Sequence, residues 1–152
     1  MNPEKKIIVR KATSQDADGI IEVLKSAKLG TETWAGNQGW TRKALNDFLN
    51  LKNYTLFVAA SDRKVVGFID YCAFPSFWEG SKQGTINHLF VTPAFQSKGL
   101  GAMLLQAVIE QACAEGLGEL HVSTEPENIR ARRLYARFGF TTVRLLLERE
   151  GK

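Results

Sequence analysis

The stretch that decides the fold occupies residues 89–105 and reads LFVTPAFQSKGLGAMLL. Its first three residues have the apolar and aromatic character of a β-strand, which a Thr-Pro pair then ends. A turn that contains Gly99 and Gly101 follows, and the apolar run after it predicts a helix from Leu100 to about Glu115. This order places several backbone N–H groups at a helix N-terminus, where a pyrophosphate binds favourably.

The two glycines of this turn allow the main chain to approach phosphate oxygens closely, because glycine has no Cβ, and Lys98 adds a positive charge. The same glycines also suit a plain strand-to-helix turn. The turn is not a Walker A loop, which needs Gly-Lys-Ser/Thr, and it lacks the third glycine and the later acidic residue of a dinucleotide fingerprint.

A second motif occupies residues 128–140 and reads NIRARRLYARFGF. The turn resembles the acetyl-CoA motif of the GNAT superfamily of N-acetyltransferases, (Gln/Arg)-x-x-Gly-x-(Gly/Ala), and the second motif resembles the segment Asn-x-x-Ala-x-x-Leu-Tyr…Gly-Phe of that family. The two motifs have the order and separation found in the family. The resemblance covers Phe68 to Phe140 well and extends more loosely toward the N-terminus.

The resemblance implies an α/β fold: a central, mostly antiparallel mixed sheet with a splayed parallel strand pair and helices on both faces. It also implies an enzyme that transfers the acetyl group of acetyl-CoA to a primary amine of a small molecule or protein, by direct attack in a ternary complex. The alternative is a non-catalytic module that binds acyl-CoA. Cofactor turnover with any amine separates the two.

The resemblance further implies the site residues, with acetyl-CoA as the cosubstrate. The cofactor-binding residues are predicted to be Leu89, Phe90, Val91, Gln96, Ser97, Lys98, Gly99, Leu100, Gly101, Ala102, Asn128 and Tyr135. Tyr135 is the predicted catalytic acid, because a phenol can protonate a departing thiolate. The alternative is that Tyr135 only packs in the core with Ala131, Leu134 and Phe138, which share its helix face. Asn128 can cap this helix as well as contact the cofactor.

The base that deprotonates the amine is harder to assign. Many members of that family use a Glu or His four or six positions before the end of the motif strand, either as the base or to hold a water, and these positions hold Asn87 and Thr85 here. His88 lies beside them, but strict alternation points it to the other face unless a bulge shifts the register. The default interpretation is therefore that His88 has a structural role. A water is the alternative base, and His121 is a weaker candidate than His88.

Composition limits the remaining possibilities. With 152 residues and 44% apolar content, the chain has the size of one domain, which we expect to span residues 1–152. Cys72 and Cys113 lie far apart and predict neither a disulfide framework nor a metal site. The net charge of +4 comes without a dense basic tract, so we expect no nucleic-acid partner, and no apolar window is long enough for a membrane span. We expect a cytoplasmic protein, and the sequence is compatible with a homodimer.

The rest of the sequence predicts the element order βααβββαβαβ. The predicted strands are Ile7–Lys11, Leu56–Ser61, Val65–Ala73, Thr85–Val91, Leu120–Ser123 and Thr141–Arg149. Gly30 to Gly39 and Phe74 to Gly80 are predicted to be loops that carry aromatic residues. The aromatics Trp34, Trp40, Phe77 and Trp78 are expected either to shape the acceptor side of the site or to serve as scaffolding or a dimer interface.

Overall fold

The computed structural model describes residues 6–27 and 42–151. Within these ranges five strands form one sheet in the order β1-β2-β3-β4-β5, and helices lie on both of its faces. The strands are β1 (Ile7–Lys11), β2 (Tyr54–Ser61), β3 (Lys64–Ser76), β4 (Ser81–Val91) and β5 (Leu117–Val122). The helices are α1 (Ala17–Ser26), α2 (Arg42–Leu49), α3 (Leu100–Ala114) and α4 (Ile129–Arg137). The predicted mixed α/β fold is confirmed.

The sheet is antiparallel from β1 to β4, and only β4 and β5 run parallel. The β2–β3 hairpin turns at Asp62 and Arg63, which have φ angles of 49° and 68°. Two consecutive residues with positive φ are typical of the tight turn that matches the twist of a hairpin. The parallel pair needs a crossover instead, and α3 supplies it. The glycine-containing turn is therefore fixed at the start of the crossover helix, beside the end of β4.

Each face of the sheet has its own apolar cluster. On the face covered by α1 and α2, the buried residues are Ile20, Val23, Leu56, Val58, Val65 and Phe68. On the face covered by α3 and α4, they are Phe57, Ala59, Val66, Ile69, Tyr71, Ala73, Ile86, Leu100, Leu104, Leu105, Val108 and Tyr135. Alternate residues of β2 and β3 point to opposite faces, so the long central strands contribute to both clusters.

The structure differs from the sequence-based prediction in three places. The predicted strand Thr141–Arg149 forms no strand, and every residue in it is exposed. The predicted aromatic loop is shorter, because β3 extends through Phe74 to Ser76 and β4 begins at Ser81, which leaves a turn at residues 77–80. The last strand is displaced toward the N-terminus and spans Leu117–Val122. The predicted loop at residues 30–39 lies outside the described residues, as do Trp34 and Trp40.

Within the described ranges, no helix has both the length and the apolar character needed to cross a lipid bilayer.

An ion pair between the exposed Arg10 and the buried Asp16 connects β1 to the start of α1. Arg10 donates two hydrogen bonds to the Asp16 carboxylate, at 2.7 and 2.8 Å, and the Thr13 backbone N–H donates a third at 2.8 Å. The guanidinium of Arg10 is the main reason that the pKa of Asp16 lies below its usual value. The side chain of Asp16 is almost fully buried, so these bonds are not replaced by water when the residue is changed.

Asp16→Asn should lower the free energy of unfolding at pH 7 by about 2 kcal/mol, since it weakens charge-assisted bonds at a buried site. Because folding lowers the pKa of Asp16, this stabilisation is present above about pH 3.9 and is lost as the pH falls through the folded value. Urea unfolding at several pH values should thus show the parent and variant converging below that pH. Asp18→Asn is the matched control, since Asp18 and its partner Arg42 are both exposed and a change within about 0.5 kcal/mol is expected. An equal loss in both variants, or one independent of pH, would contradict this account.

Candidate active site

The parallel pairing of β4 with β5 ends before β4 does. The last paired residues are Ile86 and Val122, whereas β4 continues to Val91 with β3 as its one neighbour among the described residues. Backbone groups of a strand alternate in direction, so those of 87–91 that point away from β3 have no strand partner in the described ranges. One of them, the Val91 carbonyl, accepts a hydrogen bond from the Gln96 side chain at 3.0 Å. The pair is splayed, as the resemblance implied, and leaves an open edge next to the turn.

The turn after β4 presents a series of free backbone donors. The first hydrogen bond of α3 runs from the Met103 N–H to the Gly99 carbonyl at 3.1 Å. In the described part of the chain, no hydrogen bond engages the N–H groups of 97–102. Ser97 and Gly99 have φ angles of 61° and 81°, which turn the chain tightly before the helix. A set of unpaired N–H groups at a helix N-terminus favours an anion. That these residues bind the pyrophosphate stays a prediction.

The polar side chains of the turn have two different tasks. Gln96 connects elements: besides its bond to Val91, its Oε1 accepts a hydrogen bond from Arg130 of α4 at 3.0 Å. Lys98 is exposed, with its ammonium 5.2 Å from the centre of the Phe95 ring. Its charge therefore remains available at the mouth of the turn.

Glycine occupies positions 99 and 101 for different physical reasons. A Cβ at Gly99 would meet no atom within 4 Å, so Gly99 serves the left-handed backbone rather than close packing. A Cβ at Gly101 would lie 3.3 Å from a methyl carbon of Leu134, which shows that Gly101 allows α3 and α4 to approach. The sequence assigned both glycines to phosphate contact. The geometry adds a packing role for Gly101, and a bulky residue there would disturb the two helices first.

The second motif forms α4. The Asn128 side chain caps this helix by accepting a hydrogen bond from the Ala131 N–H at 3.1 Å, so its capping role is confirmed. Tyr135 is buried in the cluster on this face, and its ring packs edge-on against Phe140 with 5.8 Å between centroids. Burial raises the pKa of the Tyr135 phenol, which keeps it protonated at neutral pH. No other described residue forms a hydrogen bond with its hydroxyl.

A β-bulge in β4 changes the arrangement around His88. Asp70 pairs with His88, but the next residue of β3, Tyr71, pairs with Ile86, so Asn87 is the extra residue. The register shift places the side chains of Asn87 and His88 on the same side, facing Asp70. The imidazole Nδ1 lies 3.0 Å from one Asp70 oxygen, and the Asn87 amide donates to the other at 3.1 Å. The sequence made the assignment of His88 depend on such a bulge, and the structure has one.

The resulting cluster lies on the face covered by α1 and α2, opposite Tyr135. Asp70 is 2% exposed whereas the His88 side chain is 42% exposed, so a buried carboxylate supports an accessible imidazole. The hydrogen bond to Asp70 raises the pKa of His88 above its usual value. Burial and the same carboxylate raise the pKa of Tyr54. His88 also stacks on Phe90, with 5.9 Å between the ring centroids. The Nε2 atom of His88 has no hydrogen-bond partner among the described residues.

Asp70 is the site residue that the sequence analysis did not identify. The sequence does indicate it, because Asp70 is the one acidic residue in the otherwise apolar predicted strand Val65–Ala73. A carboxylate in such a strand requires a partner when buried. The other histidine, His121, pairs with Glu119 on β5 at 3.2 Å.

The predicted aromatic wall is not assembled around this cluster by the described residues. Phe77 and Trp78 are almost fully exposed in the β3–β4 turn. That turn is separated from His88 by seven residues of extended strand, roughly 23 Å. Trp34 and Trp40 lie outside the described residues. Within the described ranges, no group of three His, Cys, Asp or Glu side chains is arranged to hold a metal ion.

Comparison with known proteins agrees with this geometry. The sequence model of the acetyltransferase (GNAT) family matches residues 22–140. This chain belongs to the GNAT family. Its relatives are acetyltransferases, and it is an enzyme of that class. Over 140 residues it is 32% identical to an uncharacterized N-acetyltransferase of Archaeoglobus fulgidus, covering 84% of this chain and 88% of the relative.

A second sequence relative and a solved structure also match this chain. The chain is 33% identical over 138 residues to an L-methionine sulfoximine/L-methionine sulfone acetyltransferase of Pseudomonas aeruginosa, covering 87% of this chain and 78% of that protein. An aminoglycoside N-acetyltransferase solved in complex with CoA has a TM-score of 0.77 at 20% identity, covering 99% of this chain and 98% of the other. At 20% identity, the similarity to this solved structure shows the fold alone.

Lys98→Ala should weaken CoA binding about fivefold at low salt, because it removes one exposed charge from the turn before α3. Calorimetric titration at two salt concentrations measures the effect, and the variant should depend less on salt than the parent. Lys82→Ala is the matched control, since this exposed lysine lies at the other end of β4. Binding of pantetheine, which has no pyrophosphate, should be the same in all three proteins. If Lys98→Ala binds CoA like the parent at every salt concentration, the charge plays no part.

Proposed function

We propose that this enzyme transfers the acetyl group of acetyl-CoA to a primary amine of a small molecule by direct attack within a ternary complex. The observation that carries the proposal is the early end of the β4–β5 pairing. It leaves the backbone edge of 87–91 open directly before the free N–H groups of 97–102. A strand edge followed by an anion-binding turn suits a ligand with an extended amide-containing arm and a pyrophosphate, which is the chemistry of CoA.

The cofactor contacts follow from this placement. The pyrophosphate would be held by the N–H groups of Ser97 through Ala102 and by Lys98, while the backbone of Leu89, Phe90 and Val91 would pair with the pantetheine arm. Free N–H groups of the same strand would also stabilise negative charge on the thioester oxygen as it develops. Asn128 and Tyr135 would border the arm from the α4 side. The CoA-bound relative in fold supports this assignment of the cofactor.

The reaction needs a base, and His88 fits this role better than the sequence alone suggested. The amine nitrogen attacks the carbonyl carbon, the C–N bond forms, and the C–S bond breaks. The amine gives a proton to His88 Nε2, and the leaving thiolate takes a proton from the Tyr135 hydroxyl. Asp70 holds Nδ1 and stabilises the imidazolium that forms, so it acts as a positioning residue. His88 and Tyr135 lie on opposite faces of the sheet, with the open strand edge between them.

The alternative, a module that only binds acyl-CoA, needs no catalytic base. His88 is a candidate base and the relatives are acetyltransferases, and both points argue against that alternative. The acceptor is proposed to be a small amine, because the Pseudomonas relative, similar over 87% of this chain, is named for two methionine derivatives. The first panel to test is therefore amino-acid derivatives, followed by polyamines and aminoglycosides, with CoA release as the measured product. No CoA release with any amine, from a protein that binds CoA, would contradict the proposal.

The pH dependence of kcat tests the base. Because Asp70 raises the pKa of His88, activity should rise with pH through a midpoint above 6.5, as His88 loses its proton. Asp70→Asn should move that midpoint down toward 6.5, whereas Asn87→Ala and His121→Ala should leave it in place. Titration of the acceptor amine is common to all four proteins and cancels in the comparison. A midpoint that Asp70→Asn leaves unchanged, together with full activity of His88→Ala, would remove His88 from the mechanism.

The phenol of Tyr135 can be tested without disturbing the core. Tyr135→Phe should lower kcat by about 100-fold with little change in the KM for acetyl-CoA, since it removes a proton donor and almost no volume. Tyr71→Phe is the matched control: it makes the same chemical change at a fully buried tyrosine on β3 whose hydroxyl has no hydrogen-bond partner among the described residues. Turnover should be unaffected there. If both variants react as fast as the parent at every pH, Tyr135 is only a packing residue.

A further inference from the structure

The face of the sheet that carries His88 continues onto β5. Ile86 and Val122, the last pair of the parallel ladder, both pack in the apolar cluster on the α3 side. Because side chains alternate along a strand, Glu119 and His121 point to the opposite face, which is the face of His88. The side chains of Glu119 and His121 are each 39% exposed, and that of His88 is 42% exposed. The strands therefore bring a second set of accessible polar groups to the side of the sheet where the proposed base lies.

Glu119 supplies the negative charge of this second set. One of its carboxylate oxygens lies 3.2 Å from Nε2 of His121, and the other, Oε1, has no hydrogen-bond partner among the described residues. β5 contains no lysine or arginine, and the one such residue in β4, Lys82, alternates with Gly84 toward the α3 face. Neither strand therefore supplies a lysine or arginine to neutralise the carboxylate. A cationic group of a ligand can take that place.

The strand register gives the separation between Glu119 and the proposed base. His88 lies opposite Asp70 of β3, whereas Glu119 is in line with Phe74 of the same strand, through Gln83 of β4. Four residues of β3 separate these two positions, which is roughly 13 Å along the strands. Across the strands they are one spacing of about 4.8 Å apart. Two nitrogen atoms bound by these side chains would lie about 10 to 14 Å from each other.

We infer that the acceptor is an extended diamine, with one amine at His88 and a second, protonated nitrogen at the Glu119 carboxylate. The inference rests on the proposed acetyl transfer and names the substrate class of that site. The amine at His88 becomes an acetamide and CoA leaves as its thiol, while the second nitrogen remains an ammonium ion. At about 1.2 Å per bond, the separation corresponds to about eight to ten methylene groups between the nitrogen atoms. Amino-acid derivatives without a second cation would lack the contact with Glu119.

A chain-length series measures this separation. Linear diamines with about three to twelve methylene groups are compared with monoamines of equal length, at saturating acetyl-CoA and with CoA release as the readout. The ratio of kcat/KM for each diamine to that for its matched monoamine should peak at about eight to ten methylene groups. The peak should be about fivefold, the upper range for one partly exposed ion pair. ω-Amino acids of the same lengths should react more slowly than the monoamines, because they bring a carboxylate to Glu119.

Two substitutions show whether Glu119 sets this preference. Glu119→Gln should remove the maximum in the ratio. Glu119→Asp shortens the side chain by one methylene group and should move the maximum to a diamine longer by about one methylene group. Glu110→Gln is the matched control, since this exposed residue of α3 lies on the other side of the sheet, and the maximum should stay in place.

The outcomes separate this inference from the proposed function. A ratio that does not change with chain length in the parent, or a maximum that Glu119→Gln leaves unchanged, would overturn the inference while acetyl transfer itself stands. No CoA release with any amine, from a protein that binds CoA, would contradict the proposed function and the inference with it.

Discussion

The parallel ladder between β4 and β5 ends at Ile86 and Val122, and the rest of the site depends on where it ends. Had the ladder continued to Val91, the outer backbone groups of β4 would be paired and the turn after it would border a closed sheet. Because it stops, β4 has an edge without a strand partner in the described part of the chain, and this edge leads directly to a helix N-terminus whose N–H groups are unpaired there. Apolar packing of Leu100, Leu104 and Leu105 holds this helix on the sheet. The proposed binding surface is thus made of main chain on a rigid support.

The bulge at Asn87 is the second constraint, and it acts at the same point of β4. It turns two successive side chains toward Asp70, which is 2% exposed. The burial of this carboxylate must be compensated by polar contacts. His88 and Asn87 compensate it with one contact each. The contact between Asp70 and His88 also fixes the orientation of the imidazole and raises its pKa. A local irregularity in strand pairing thereby determines which face of the sheet carries a group able to accept a proton.

The sequence predicted the parts of the site that depend on local order. The turn around Gly99, the cap at Asn128 and the helix with Tyr135 each follow from short motifs, and the structure places all three as expected. The bulge could not be predicted, because register is set by pairing with β3 and not by β4 alone. The segment 141–149 was predicted as a strand because its alternation is that of a strand. Strand pairing needs a neighbour, however, and the described chain provides none for it. The site roles of the individual residues remain predictions.

The central claim is that the open edge of β4 and the turn after it bind CoA through the main chain. Hydrogen–deuterium exchange of the backbone amides, followed with and without saturating CoA, tests it most directly, since exchange reports on the N–H groups themselves. The account predicts slower exchange in residues 88–91 and 97–102 when CoA is bound, with little change in β1 and β2. Saturating CoA that leaves both segments unprotected, or protects a different part of the sheet, would contradict it.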